Sequence, residues 1–187
     1  MASQSLISTV NSYENYIERK GIDEQAIDAY IQAVAVALRT EHDIDYGLKI
    51  SARSKQLIAQ FVKAHTGGRV ADLEIYAGEH DTEYKVLKQF YDALMYESAY
   101  LVDSFFYYIE IDEKDPYKRF YFPRYKVLQP VVGAYQEIYD GKLDFLSVSQ
   151  PKRTGKTTGG LRLAQMMGGR DPDGSIFGVG KGEGLVR

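Results

Sequence analysis

A short apolar run of Leu143, Phe145, Leu146 and Val148 leads straight into SQPKRTGKTTGG from Ser149, and no other stretch restricts the fold as much. Such a run suits a strand buried in a parallel sheet. Gly155, Lys156 and Thr157 match the closing half of the phosphate-loop pattern G-x-x-x-x-G-K-[ST], with Gln150 where the leading glycine would stand. The retained residues have a common chemistry. Gly155 lets backbone N–H groups approach phosphate oxygens. Lys156 neutralises the β- and γ-phosphates, and the Thr157 hydroxyl can ligate Mg²⁺. A helix starting behind the loop adds an N-terminus that favours anions. Gln150, Pro151, Thr154, Gly155, Lys156, Thr157 and Thr158 are therefore expected to hold ATP with Mg²⁺. The alternative is a Gly-Lys-Thr turn that merely caps a helix; the place between an apolar strand and a helix favours the phosphate site. Lys152 and Arg153 add two cations that a simple loop does not need. One of them is suited to reach the γ-phosphate as an arginine finger supplied in cis, and the alternative is a pair of solvated charges.

Around this loop the periodicity predicts a helix over residues 157–167, stopped by Gly168-Gly169. A turn at 171–174 and a second strand at 176–179 follow, which makes one βαβ unit. Upstream, a helix is expected over 126–139, with Pro130 tolerated in its first turns. Residues 105–112 are aromatic and β-branched, Asp115-Pro116 reads as a charged turn, and 118–122 is aromatic again, so a hairpin is expected. Residues 109–113 imitate the apolar strand ending in Asp112-Glu113 that nucleotide hydrolases use for Mg²⁺ and water. They precede the loop instead of following it, so that reading is set aside.

The first hundred residues read differently. Leu6, Val10, Tyr13 and Ile17 recur at spacings of three and four, as do Ile27, Tyr30, Ile31, Val34 and Leu38 after Asp23. A third helix is expected over 51–65, ended by Gly67-Gly68, and a fourth over 82–103. The expected fold class is α/β: a helical N-terminal region (1–103), then a hairpin and the beginning of a P-loop NTPase (RecA-like) parallel sheet (104–187), incomplete.

Composition narrows the classes further. A chain of 187 residues with 44% hydrophobic content suits one ordinary domain or two small ones. The net charge of −3 gives no global attraction to nucleic acid, so any DNA contact must be local. There is no cysteine for a disulfide or a thiolate metal site, and His42, His65 and His80 have no ligand spacing. No run approaches the roughly 20 apolar residues that a membrane span requires, and an intracellular soluble protein is expected.

Residues 119–158, RFYFPRYKVLQPVVGAYQEIYDGKLDFLSVSQPKRTGKTT, resemble the large terminase subunit of tailed bacteriophages and prophages. An aromatic-Pro-Arg segment and a helix lead there to an apolar strand and a loop with basic residues and no leading glycine. The likeness is close over 119–158 and looser over 105–187. It implies an ATP-driven motor that threads double-stranded viral DNA through a portal into a procapsid in the host cytoplasm. A small terminase subunit would be a partner, and the motor an oligomer without a membrane role. It also implies that Lys152 or Arg153 is the catalytic cation. Arg124 and Gln129 are its candidates for contacting adenine, with Tyr121 or Tyr125 available to stack; the alternative is ordinary hairpin-to-helix packing. Family members also carry a Walker B strand and a metal-dependent nuclease. Neither follows the loop here, where the carboxylates are Asp171, Asp173 and Glu183. A truncated product, split subunit or fragment is the expectation, binding nucleotide with negligible hydrolysis of its own. Other classes consistent with the residues are another P-loop NTPase, such as a helicase or nucleotide kinase, and a non-enzymatic interaction fragment with a vestigial loop.

Overall fold

The computed structural model describes residues 4–68, 70, 82–111, 113, 115, 117–151 and 154–176. The chain divides into two compact units after Tyr100. Every regular element among the described residues is helical, and no strand is present.

The first unit holds α1 (Gln4–Lys20), α2 (Glu24–Thr40), α3 (Ile44–Thr66) and α4 (Thr82–Ser98). Asp23 and Asp43 start α2 and α3, each accepting a bond from the backbone N–H three residues on. Capping of this kind satisfies a donor that the helix itself leaves unpaired. The α3 helix begins seven residues before the expected Ser51 because of the Asp43 cap. It tolerates Gly47 within its first turns because the Tyr96 ring fills the space a side chain there would occupy. Gly67, at φ +68°, ends it. Val10, Ile27, Tyr30, Val34, Ile58 and Val86 form a fully buried core. Within it, the buried Glu97 carboxylate accepts from Ser51 Oγ at 2.8 Å and pairs with Lys55.

The second unit contains α5 (Val102–Tyr108), a 3-10 turn (Phe122–Arg124), α6 (Tyr125–Tyr139) and α7 (Lys156–Arg170). Its core is aromatic. The Phe106 ring meets Tyr121 edge-on at 5.6 Å and lies 6.2 Å from Phe120 and 6.3 Å from Tyr135.

The α/β expectation is overturned here. The hairpin expected over 105–122 is instead α5 and a series of turns. Aromatic strand preference reflects packing on a half-buried surface more than backbone choice, and Phe106 finds that packing from a helix. Asp112 lies outside the described residues. The expected parallel sheet is not found among the described residues either. Residues 145–151 form no regular element, with Leu146, Val148 and Gln150 half-buried and Phe145, Ser147 and Ser149 exposed, and no described strand pairs with them. Of the second expected strand, Ile176 is exposed and not in a strand, and 177–179 lie outside the described residues. The α7 helix also runs through Gly168-Gly169 to Arg170. Arg170 anchors that last turn by donating to the Tyr139 carbonyl at 2.7 Å and lying over the Tyr139 ring.

Two buried phenols give these cores a pH dependence. Burial, then the neighbouring Glu14 carboxylate, raises the Tyr30 pKa above its ordinary 10.0; burial and the Asp103 carboxylate do the same for Tyr121. A raised folded-state value means that the stabilisation is whole below pH 10.0 and is lost as pH rises past it. Unfolding free energy measured by urea melts from about pH 8 to about pH 11 is expected to fall at the alkaline end. Tyr30→Phe and Tyr121→Phe should each flatten that fall; unchanged curves would contradict the assignment.

Candidate functional site

The loop that leads into α7 has a distinctive local chemistry. Gly155 caps α7 in the left-handed region, at φ +93°, and no side chain caps the helix. The first intrahelical bond runs from Gly159 N to Gly155 O at 2.8 Å. That leaves the N–H groups of Lys156, Thr157 and Thr158 at an open helix start, where unpaired donors and the helix dipole favour an anion. No acidic residue lies in the first turn, and its first residue is Lys156. A cation at this end opposes the dipole. The Lys156 ammonium folds back across the loop and donates to the Gln150 carbonyl. Thr154 Oγ1 donates to the Pro151 carbonyl at 2.8 Å and tightens the same turn. Thr157 is exposed, with its hydroxyl free to meet a ligand among the described residues. Gln150, Pro151, Thr154, Gly155, Lys156, Thr157 and Thr158 therefore come together as one loop around a helix N-terminus. Lys152 and Arg153 lie outside the described residues.

The aromatic segment before α6 behaves otherwise. Gln129 Nε2 donates to Asp103 Oδ1 at 2.7 Å and to the Tyr121 hydroxyl at 2.8 Å, which occupies both amide hydrogens. Arg124 Nη1 donates to the Phe120 carbonyl at 3.1 Å. Tyr121 is fully buried, whereas Tyr125 is 45% exposed and so presents a ring to solvent. Tyr121 is part of the unit's core, Gln129 is half-buried against it, and Arg124 and Tyr125 are exposed.

Sequence reasoning missed Glu110. Its carboxylate is 2% exposed and accepts from the backbone N–H groups of Phe120 at 2.9 Å, Tyr121 at 2.6 Å and Phe122 at 3.4 Å. Arg162 of α7 approaches it at 3.9 Å. The available signal was a lone carboxylate inside an aromatic run, which must find partners if buried. Asp171 and Asp173 lie just beyond the far end of α7, a 15-residue helix, hence about 22 Å from the loop at 1.5 Å per residue. Glu183 lies outside the described residues. His65 Nδ1 is within 3.0 Å of the Phe61 carbonyl and its ring stacks on Phe61, His42 is exposed, and His80 lies outside the described residues. Among the described residues no three His, Asp or Glu side chains converge as metal ligands would, and no helix is long and apolar enough to cross a membrane.

No protein-family model, curated protein or solved structure matches the chain.

Proposed function

We propose that the second unit binds the triphosphate of ATP, with Mg²⁺, in the loop formed by residues 150–158, and that the chain is the nucleotide-binding portion of a viral DNA-packaging motor. The single observation that carries this reading is the start of α7: an uncapped N-terminus, a left-handed Gly155 and a lysine as first residue. The starts of α2 and α3 have an aspartate cap and an acid in the first turn; α6 lacks both, as α7 does, but has neither the left-handed glycine nor the leading lysine of α7. An uncapped, cationic start becomes favourable when an anion sits on it. In the liganded state Lys156 exchanges the Gln150 carbonyl for phosphate oxygens, the free N–H groups of α7 bind them from below, and the Thr157 hydroxyl meets Mg²⁺. Double-stranded DNA, a small terminase subunit and a portal belong to the same proposal through the terminase resemblance.

Binding without turnover is the second reading. It is favoured by the place of the carboxylates: hydrolysis needs one to hold Mg²⁺ and another group to orient water. Asp171 and Asp173 are remote from the loop, and Glu110 is already surrounded by backbone donors.

Titration with a fluorescent Mg-ATP analogue tests the central reading. Lys156→Ala removes a charge-assisted contact worth roughly 1.5–3 kcal/mol, a loss of about tenfold to a hundredfold in affinity. Equal affinity in the variant would remove Lys156 from the site.

A further inference from the structure

We propose that Glu110 is the positioning residue of the phosphate loop, acting on Gly155 through the ring of Phe120. The inference rests on the loop being the phosphate site, and it concerns what gives that loop its shape before any ligand arrives. Glu110 Oε1 accepts from Phe120 N, and Oε2 accepts from Tyr121 N and, more weakly, Phe122 N. Successive N–H groups directed at one anion form a concave backbone nest, and a buried carboxylate fills it from inside the chain. Both oxygens are engaged, so Glu110 has no role left as a metal ligand or general base; what it fixes is the path of residues 120–122.

That path decides where the Phe120 ring lies. The ring lies against Gly155 so closely that a β-carbon there would overlap it. Gly155 is also the residue whose left-handed conformation turns the loop into α7. The same carboxylate faces Arg162, six residues along α7 from Lys156, at 3.9 Å. One buried anion therefore holds the aromatic wall of the loop and, by charge, the helix that carries Lys156 and Thr157. Loss of the nest frees the 120–122 backbone, withdraws the ring, and lets Gly155 leave its left-handed conformation. The open helix start then loses the geometry that directs three N–H groups at one phosphate.

Two readouts on the full chain test this, one without nucleotide. In the ligand-free protein, the Phe120 ring current is expected to displace the Gly155 α-proton resonances from their ordinary position. Glu110→Gln, which keeps the size but replaces one acceptor oxygen with a donor, is expected to abolish that displacement while circular dichroism shows the helices retained. Phe120→Leu abolishes it by removing the ring and provides a second variant should Glu110→Gln fail to fold. Fluorescent Mg-ATP analogue affinity is then expected to fall about tenfold in each single variant, and no further in the double variant, because both act through one contact. A Gly155 displacement that persists in Glu110→Gln would overturn the proposal. So would additive losses, or nucleotide affinity unchanged in both single variants while Lys156→Ala weakens binding. A wild-type protein that binds no nucleotide, yet loses the Gly155 displacement in Glu110→Gln, would refute the phosphate reading and still support Glu110 as the residue that shapes the loop.

Discussion

Phe106→Ala is expected to lower the stability of the second unit by about 3–5 kcal/mol, the largest effect of any single substitution considered for this chain. Phe106 is 1% exposed and is the hub of the aromatic core. Its ring touches Phe120 and Tyr121 from the turn before α6, and Tyr135 from α6 itself. Truncation leaves a cavity whose walls are large rigid rings, which relax poorly, and removes the edge-to-face contacts that add to simple burial. A domain has on the order of 5–15 kcal/mol of net stability, so a loss of this size brings the unit near its unfolding threshold. The loop would suffer with it, because Phe120 joins this core to Gly155. Native-state hydrogen exchange measures the effect locally. Amides of α6 and α7 should exchange faster in the variant, with those of α2 and α3 unaffected. Protection unchanged in α6 and α7 would show that the aromatic cluster is not what holds the unit together.

Gly155→Ala is expected to cost the same unit about 2–5 kcal/mol, the sum of two independent penalties. An alanine held at φ +93° suffers the left-handed strain of roughly 1–2 kcal/mol. Its methyl group would also have to displace the Phe120 ring, an overpacking cost of about 1–3 kcal/mol. Gly21 separates the two terms. It has the same φ of +93° but nothing within 4 Å of the place a methyl group would occupy. Gly21→Ala should therefore show the dihedral cost alone. Gly155→Ala combined with Phe120→Leu should recover part of the difference. Urea melts of the four proteins decide the matter; equal costs for the two glycine substitutions would mean that the Phe120 contact has no energetic weight. Nucleotide affinity should fall in Gly155→Ala even where the helices persist, since the loop can no longer turn into α7 at the same angle.

The helices of the first hundred residues are legible because apolar spacing and start signals agree. Ile27, Tyr30, Ile31 and Val34 fall on one face, and Asp23 caps the helix that carries them. The boundaries follow from local chemistry that is easier to see afterwards, such as Asp43 starting α3 ahead of its apolar stripe. The second unit misleads for a physical reason. Residues 105–122 have the composition of strands, but a pairing partner is a tertiary fact that composition does not contain. The segment before the loop illustrates the same limit: Leu146 and Val148 are half-buried and Ser147 and Ser149 exposed, yet no described strand pairs with them and they form no sheet. Of the site, the loop residues were legible from their motif. Glu110 was not, because a carboxylate that binds its own backbone leaves no spacing pattern. Gln129 and Arg124 are singled out only through the terminase resemblance; in the structure both Gln129 amide hydrogens go to Asp103 and Tyr121, and the exposed Arg124 donates through Nη1 to the Phe120 carbonyl.

The central claim is that a phosphate anion binds at the start of α7. It is tested most directly by heteronuclear amide spectra of the full chain recorded with and without Mg-ATP. The account predicts that the amides of Gly155, Lys156, Thr157 and Thr158 move most, because their N–H groups meet the phosphates, while amides of α2 and α3 stay in place. Lys156→Ala should reduce those shifts at the same ligand concentration. Amides of the α7 start that remain unmoved at saturating Mg-ATP, or shifts confined to other helices, would contradict it.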